Sequence, residues 1–279
     1  METQQRTVDV DGQTMMVWER GPEDGIPILM VHGFPLDHSM WSNQIESLDP
    51  DGQRYRIICP DLFGCGQSDL IEDGTSMEQI ADQLAAMLDG IDVQEKVVFC
   101  GLSMGGYVGW QFLQRHRDRV SHLVACNTRA SADSEEASHN RKRMATSVVL
   151  MGIQPIADAM MLTLFYSDPT RSDEDKAKDQ EKRAQINKAI AQTDVQTIAK
   201  LQLAMAARPD MTPLLDQIDV PTLVISGRHD TITPVEEMQE MADAITGSTF
   251  VCIENAAHLS PLENGTDFNK ALTEFLSNR

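Results

Sequence analysis

Residues 96–106 read KVVFCGLSMGG, and this stretch decides the fold. The apolar segment Lys96–Cys100 predicts a buried strand, and Gly105–Arg117 predicts the helix that follows it. Between them, Gly101-Leu102-Ser103-Met104-Gly105 fits G-x-S-x-G, in which a serine stands on a tight turn from strand to helix. Such a turn holds the hydroxyl above the carboxyl edge of the sheet, where α/β proteins bind ligands. Ser103 is therefore the candidate nucleophile.

Strands and helices alternate on both sides of this turn. Short apolar segments predict further strands, at Thr7–Val10, Met15–Glu19, Ile26–Val31, Tyr55–Cys59, Val120–Cys126, Val220–Ser226 and Thr249–Ile253. The first two flank Asp11-Gly12, which is a hairpin signal. Helices are predicted over His38–Leu48 and after Ser76, which forms a capping box with Gln79. This alternation implies βαβ units and a parallel sheet covered on both faces.

The alternation stops in the middle of the chain. Only helical segments are predicted from Ser131 to Pro209, and the strands return afterwards. We therefore predict an α/β core in two parts, residues 1–130 and 210–279, with an all-helical domain of residues 131–209 between them. In the second part, Thr233 and Ser260 each precede a proline and, three residues on, a glutamate. This pattern predicts that each of the two begins a helix as its N-cap.

Composition limits the possible partners. The chain of 279 residues is 41% apolar and 24% charged, which is typical of a soluble globular protein. Its formal net charge of −20 disfavours nucleic acid and anionic membrane surfaces, because both require a basic footprint. The first ten residues form no apolar segment and Ile26–Val31 is too short to cross a bilayer, so neither signal peptide nor membrane span is expected. We expect a cytoplasmic monomer or small homo-oligomer.

Sulfur-containing residues do not indicate a metal or disulfide site. The five cysteines are odd in number and contain no C-x-x-C pair, so neither a disulfide framework nor a zinc site is expected. Several of the 16 methionines fall in the predicted helical domain, among them Met144, Met151, Met160 and Met161. Ordinary core filling explains them better than the alternative, a pliable apolar pocket.

A serine nucleophile needs a base, and the chain has seven histidines. Three of these stand in polar or helical surroundings and are expected to be exposed: His116, His122 and His139. His32 ends a predicted strand. His258 follows the last predicted strand and precedes a predicted helix, which places it at the same sheet edge as Ser103. His258 is therefore the candidate base.

The remaining site residues follow from what the base and the reaction require. Asp230 follows the preceding predicted strand and is the candidate carboxylate that orients the imidazole. Asn127 also follows a strand, but it carries no charge and is a poor rival. The Met104 N–H, directly after the nucleophile, is one predicted oxyanion donor. Because Pro35 lacks an N–H and favours an extended residue before it, the Phe34 N–H is the predicted second donor.

Five segments resemble the motifs of the α/β-hydrolase fold superfamily, in the same order. They are HGFPLDHSMW (32–41), DLFGCGQSD (61–69), GLSMGG (101–106), GRHDTITP (227–234) and AAHLSPLENG (256–265). The resemblance extends over nearly the whole chain. It implies an α/β fold with a mostly parallel eight-stranded sheet flanked by helices. It further implies that the helical domain is a cap, inserted after the sixth strand, that roofs the substrate pocket.

Branches of the superfamily differ at a few positions. Haloalkane dehalogenases and epoxide hydrolases are similar at HGFP but use an aspartate nucleophile, so Ser103 excludes both. Cofactor-free haloperoxidases and aryl esterases resemble the chain at Pro35, a proline associated there with perhydrolysis. Carboxylesterases and 3-oxoadipate enol-lactonases resemble it at Cys126–Ala130 and in the cap. Enol-lactonases take an anionic substrate, for which only Arg129 and Arg141–Arg143 offer basic groups.

Hydrolysis of carboxylic esters with small acyl or aryl groups is therefore the first prediction. Ser103, Asp230 and His258 would form the catalytic triad, and neither cofactor nor metal is required. Hydrolysis of a lactone such as 3-oxoadipate enol-lactone, or perhydrolysis, is the alternative. A non-catalytic ligand-binding protein of the same fold is disfavoured because no member of the triad is missing.

Overall fold

The computed structural model describes residues 3–167, 170 and 172–277. Its eight strands form one sheet in the order β1-β2-β4-β3-β5-β6-β7-β8. They are β1 (Gln4–Val10), β2 (Gln13–Arg20), β3 (Ile26–Val31), β4 (Tyr55–Pro60), β5 (Val97–Leu102), β6 (Val120–Cys126), β7 (Thr222–Gly227) and β8 (Thr249–Ile253). β2 pairs antiparallel with β1 and β4, and all other pairs are parallel. The predicted mostly parallel eight-stranded sheet is confirmed.

Helices cover both faces of the sheet. They are α1 (Ser42–Ser47), α2 (Met77–Gly90), α3 (Met104–Arg115), α4 (Glu135–Met151), α5 (Gln154–Met161), α6 (Asp173–Gln192), α7 (Val195–Ala206), α8 (Val235–Asp243), α9 (Ser260–Glu263) and α10 (Gly265–Ser277). Side chains alternate along each strand, so Phe99 belongs to the apolar cluster that contains side chains of α2, α3 and α8, whereas Val98 belongs to the cluster that contains side chains of α1 and α10. Within the described residues, no helix is both long and apolar enough to span a bilayer.

The cap lies between β6 and β7, as predicted, and consists of α4 to α7. The two segments that connect the cap to the core, residues 130–133 and 208–211, lie against each other and are called the stem here. There the Met211 N–H donates to the Ala130 carbonyl (2.9 Å), and Arg208 pairs with Asp133 (2.6 Å). The side chains of that ion pair are only 3% and 1% exposed, so the stem is a buried polar joint. The domain boundaries at residues 131 and 210 stay predictions.

The four methionines singled out in the sequence have two different environments. Met160 and Met161 pack against the core cluster beneath the sheet, in agreement with core filling. Met144 and Met151 are 37% and 67% exposed, so for them that prediction is wrong. Both belong to α4, whose outer face is turned toward solvent.

One predicted helix start is confirmed and two are wrong. At the start of α2, Ser76 and Gln79 form both hydrogen bonds of a capping box. By contrast, α8 begins at Val235, and Thr233 is not its N-cap. α9 begins at Ser260 itself, without a side-chain cap. The hydroxyls of Thr233 and Ser260 donate instead to side chains at the carboxyl edge of the sheet, as described below.

Candidate active site

Ser103 occupies a strained turn between β5 and α3. Its φ of 55° and ψ of −113° are uncommon for a residue that carries a Cβ. The turn needs small neighbours, because a Cβ on Gly101 would overlap the Gly105 carbonyl and a Cβ on Gly105 would overlap that of Val31. The Thr128 hydroxyl donates to the Ser103 carbonyl (2.7 Å) and so holds the turn from the β6 side. The backbone thus presents the Ser103 side chain at the carboxyl edge.

The two predicted oxyanion donors flank this turn. Met104 is the first residue of α3, where backbone N–H groups lack helical partners. Phe34 lies in the loop after β3, and a Cβ on the preceding Gly33 would stand 3.4 Å from the Ser103 Cβ. Among the described residues, no backbone or side-chain acceptor takes the N–H of Phe34 or of Met104. Both N–H groups therefore lack a protein acceptor among the described residues, and their role as oxyanion donors stays a prediction.

Asp230 follows β7 and accepts hydrogen bonds from five donors. Its Oδ1 accepts the backbone N–H groups of Ile232 (2.7 Å) and Thr233 (3.1 Å). Its Oδ2 accepts from the Thr233 hydroxyl, from Asn127 Nδ2 (2.8 Å) and from His258 Nδ1 (2.8 Å). Burial alone would raise the pKa of Asp230, but attraction to a protonated His258 and the side-chain hydrogen bonds outweigh it and lower the pKa to about 2. Asp230 is therefore an anion at neutral pH.

His258 lies between β8 and α9 and is buried. Its Nδ1 bonds to Asp230, which leaves Nε2 as the nitrogen free to act as a base. No hydrogen bond joins the Ser103 hydroxyl to His258 in this structure. Such bonds are often long in enzymes without substrate and tighten when substrate binds. The structure thus brings Asp230 and His258 into contact, and places Ser103 at the same sheet edge without that third link.

Asn127 has a role that the sequence did not reveal. It follows β6 with a φ of 41° and is fully buried. Besides bonding Asp230, its Nδ2 donates to the Ala257 carbonyl (3.3 Å), and its Oδ1 accepts from the Ser260 hydroxyl (2.6 Å). Asn127 is therefore a partner of Asp230 and of the loop around His258, rather than a rival for the same place.

Two of the other histidines differ from expectation: His122, described below, and His116, which is half-buried and bonds Asp82 (2.8 Å) instead of being exposed. His32 is buried, donates from Nδ1 to the Gly33 carbonyl (2.9 Å) and accepts the Leu62 N–H at Nε2 (3.0 Å). Burial lowers the pKa of His32, so this ring is neutral and holds two loops together. His122, expected to be exposed, is 8% exposed and packs edge-on against Phe275. That prediction is wrong because β6 is covered on both faces.

The cap places apolar side chains against the loop of Phe34. Phe34 packs on a cluster contributed by α4 and α7, namely Ala145, Val148, Ile198 and Ala199. Of the basic side chains considered for an anionic substrate, Arg129 and Arg141 are paired with carboxylates, whereas Lys142 and Arg143 are exposed on α4. Arg129 contacts Glu237 (3.0 Å), and Arg141 contacts Asp133 (2.5 Å).

Glu263 is a second residue that sequence reasoning missed. It ends α9, and its two carboxylate oxygens accept the backbone N–H groups of Tyr166 (2.6 Å) and Ala257 (2.8 Å). Burial raises the pKa of Glu263 to about 7, against the opposing effect of those two N–H groups and of Arg183. In the sequence, Glu263 stands five residues after His258, but this spacing does not show which groups the Glu263 side chain contacts.

Glu263 should make the free energy of unfolding depend on pH. Because the native pKa of about 7 lies above the ordinary 4.5, the native state holds a proton that the unfolded chain releases. Stability should therefore fall as the pH rises between these values, by on the order of 3 kcal/mol. Urea unfolding at about pH 5 and pH 8 should show a larger loss for the native sequence than for Glu263→Gln. Equal losses in both proteins would contradict this assignment.

Comparison with known proteins identifies the family. Residues 26–265 match the family model of the alpha/beta hydrolase fold. The 3-oxoadipate enol-lactonase 1 of Acinetobacter baylyi is 29% identical, with 95% of this chain and 94% of that protein covered. A thermophilic esterase from Thermogutta terrifontis is 38% identical, with a TM-score of 0.89 over 99% of this chain and 98% of that one. The enol-lactonase from Burkholderia xenovorans LB400 is 28% identical, with a TM-score of 0.86 over 98% and 100%. The chain belongs to the alpha/beta hydrolase fold family.

Proposed function

We propose that the protein is a serine hydrolase that cleaves carboxylic esters of small acyl or aryl groups through an acyl-enzyme. The observation that carries this proposal is the 2.8 Å hydrogen bond between His258 and Asp230, at the sheet edge where a strained turn presents Ser103. A histidine held by a carboxylate beside a serine is the arrangement that activates a hydroxyl for attack.

The chemistry follows from these positions. His258 Nε2 takes the proton from Ser103 Oγ as this oxygen attacks the ester carbonyl carbon. The N–H groups of Phe34 and Met104 stabilise the oxyanion, each by about 3 kcal/mol. Asp230 stabilises the imidazolium, which gives its proton to the departing alcohol. Water, deprotonated by His258, then attacks the acyl-enzyme and releases the acid.

The surroundings favour a neutral substrate. Arg129 and Arg141 are engaged by Glu237 and Asp133, so neither offers an unpaired charge to a substrate carboxylate. The four cap side chains named above that pack on Phe34 are apolar. Transfer of an uncompensated carboxylate into such surroundings is costly. These contacts support an uncharged ester as the preferred substrate.

Lactone hydrolysis is the second candidate, since two similar proteins are named enol-lactonases. A lactone is a cyclic ester, so the same steps would open its ring. The leaving alcohol then stays attached to the acyl group. Perhydrolysis, in which peroxide replaces water as acceptor, would need the same three side chains.

A substrate panel tests the preference. We expect kcat/KM for p-nitrophenyl butyrate to exceed that for the mono-p-nitrophenyl ester of succinic acid by at least about tenfold, because the second substrate carries a carboxylate. δ-Valerolactone and 3-oxoadipate enol-lactone complete the panel, and bromination of monochlorodimedone with peroxide measures perhydrolysis. Faster turnover of the anionic ester would contradict the preference for a neutral substrate, and faster turnover of the enol-lactone than of either ester would replace ester hydrolysis with the second candidate. Faster halogenation than hydrolysis would favour perhydrolysis.

A further inference from the structure

Glu263 joins the cap to the loop that carries His258. Its Oε1 accepts the N–H of Tyr166, which lies in the cap between α5 and α6. Its Oε2 accepts the N–H of Ala257, which directly precedes His258. One half-buried carboxyl group therefore holds the backbone of both parts at 2.6 and 2.8 Å.

We propose that Glu263 is a positioning residue that holds the His258 imidazole in place when the cap is seated on the core. The inference rests on the proposed function, in which His258 is the base. Glu263 does not contact the reacting atoms in this proposal. It acts through Ala257, and the cap supplies the second anchor through Tyr166.

Two further contacts link the same part of the cap to the loops of the candidate site. The Leu259 N–H donates to the Leu164 carbonyl of the cap (3.2 Å). The Tyr166 ring stacks on His229, the neighbour of Asp230, with centroids 3.8 Å apart. The cap segment 164–166 therefore contacts the loops of both His258 and Asp230. A shift of the cap at this point would reach the candidate base and its carboxylate together.

Charged groups around Glu263 come mainly from α6. Arg183 bonds the Tyr166 carbonyl (2.9 Å) and attracts the carboxylate, whereas Asp179 repels it. Lys182 Nζ donates to the carbonyls of Leu262 (2.8 Å) and of Glu263 itself (3.4 Å).

The flanking loops add two titratable rings, those of His229 and His258. Burial, helped by Asp179, raises the pKa of Glu263 to about 7 against the opposing effect of the two N–H groups and Arg183. The carboxylate accepts both N–H groups, but a protonated carboxyl turns one oxygen into a donor that can no longer accept. Protonation should therefore loosen one of the two links.

The Glu263→Gln variant tests the positioning role. The amide keeps the shape of the side chain, but its NH₂ group faces one of the two N–H donors, so one link is lost and the group no longer titrates. Glu254→Gln is the matched control, because Glu254 is exposed and pairs with Arg228 (2.7 Å). We expect kcat to fall by roughly ten- to a hundredfold in Glu263→Gln, with KM changed less than about threefold. The control should keep the native values.

The pH profile separates positioning from a purely structural role. In the native protein, protonation of Glu263 and protonation of the base both lower the rate. On the acid side of the profile, the slope of log kcat against pH should therefore exceed about one, which is the largest slope that protonation of a single group can give. In Glu263→Gln the slope should return to about one. If Glu263→Gln does not fold, Glu263→Asp, which titrates but is too short to span both donors, should show the low kcat with the steep limb.

A readout independent of turnover keeps this inference distinct from the proposed function. In protein labelled with ¹⁵N-histidine, the Nδ1–H resonance of His258 reports the bond to Asp230. We expect this resonance to shift or broaden in Glu263→Gln and to stay unchanged in Glu254→Gln. If the resonance responds but no variant hydrolyses esters, the proposed function fails and the positioning role stands. An unchanged resonance, with native kcat and acid limb in Glu263→Gln, would overturn the inference.

Discussion

Ser103→Ala is expected to remove ester hydrolysis, with kcat/KM for p-nitrophenyl acetate lower by roughly 10⁴-fold or more. The variant loses the only atom that can form the acyl-enzyme. Alanine has the same Cβ as serine, so the strained turn at φ 55° should persist. Initial rates measure the loss, and thermal unfolding should give a native midpoint.

Controls make the Ser103→Ala result specific. Ser47→Ala removes an exposed hydroxyl at the end of α1 and should keep native activity. Activity of Ser103→Ala within about tenfold of the native value would mean that another group attacks the ester. Both variants are purified in the same way, so that hydrolysis by a contaminating esterase would contribute equally to both rates.

Asp230→Asn is expected to lower kcat by about 10⁴-fold. All five hydrogen bonds to Asp230 come from donors, so an amide NH₂ group at either oxygen position would face a donor. Neutral asparagine also fails to stabilise the imidazolium that forms during the reaction. Steady-state kinetics at neutral pH measure the effect.

Stability is a second consequence of this substitution. The pKa of Asp230 is about 2, so the native protein retains a carboxylate whose donors the variant leaves partly unpaired. We expect a lower unfolding midpoint, and the kinetics must be measured on the folded fraction. Asp219→Asn, which removes an exposed partner of Arg117, is the control and should change neither property. A kcat of Asp230→Asn within about tenfold of the native value would show that His258 needs no carboxylate.

The sheet could be predicted because its signals are local. Ile26–Val31, Val120–Cys126 and Thr249–Ile253 are strands with the predicted limits, since each is a short apolar segment bounded by turn residues. The turn at Ser103 was equally evident, because two glycines mark the close approach of backbone that their positions require. Strand order and the face of the sheet that each helix covers do not follow from local signals, and neither was predicted.

The partners of the candidate site could not be predicted, because they meet across long stretches of chain. Asn127 bonds Asp230 across 103 residues and Ser260 across 133 residues. Thr233 carries a local capping pattern, but its hydroxyl finds the Asp230 carboxylate instead of a helix end. Competition between a local cap and a buried acceptor is decided by tertiary structure, which one sequence does not contain.

Reaction with a fluorophosphonate tests the activation of Ser103 most directly, since this reagent modifies a serine only when a neighbouring base makes its hydroxyl nucleophilic. We predict one adduct per chain, located by peptide mass spectrometry on the segment that contains Ser103. Ser103→Ala should form none, and His258→Gln should react at least about a hundredfold more slowly. A native protein that stays unmodified, or an adduct on any other serine, would contradict the proposal.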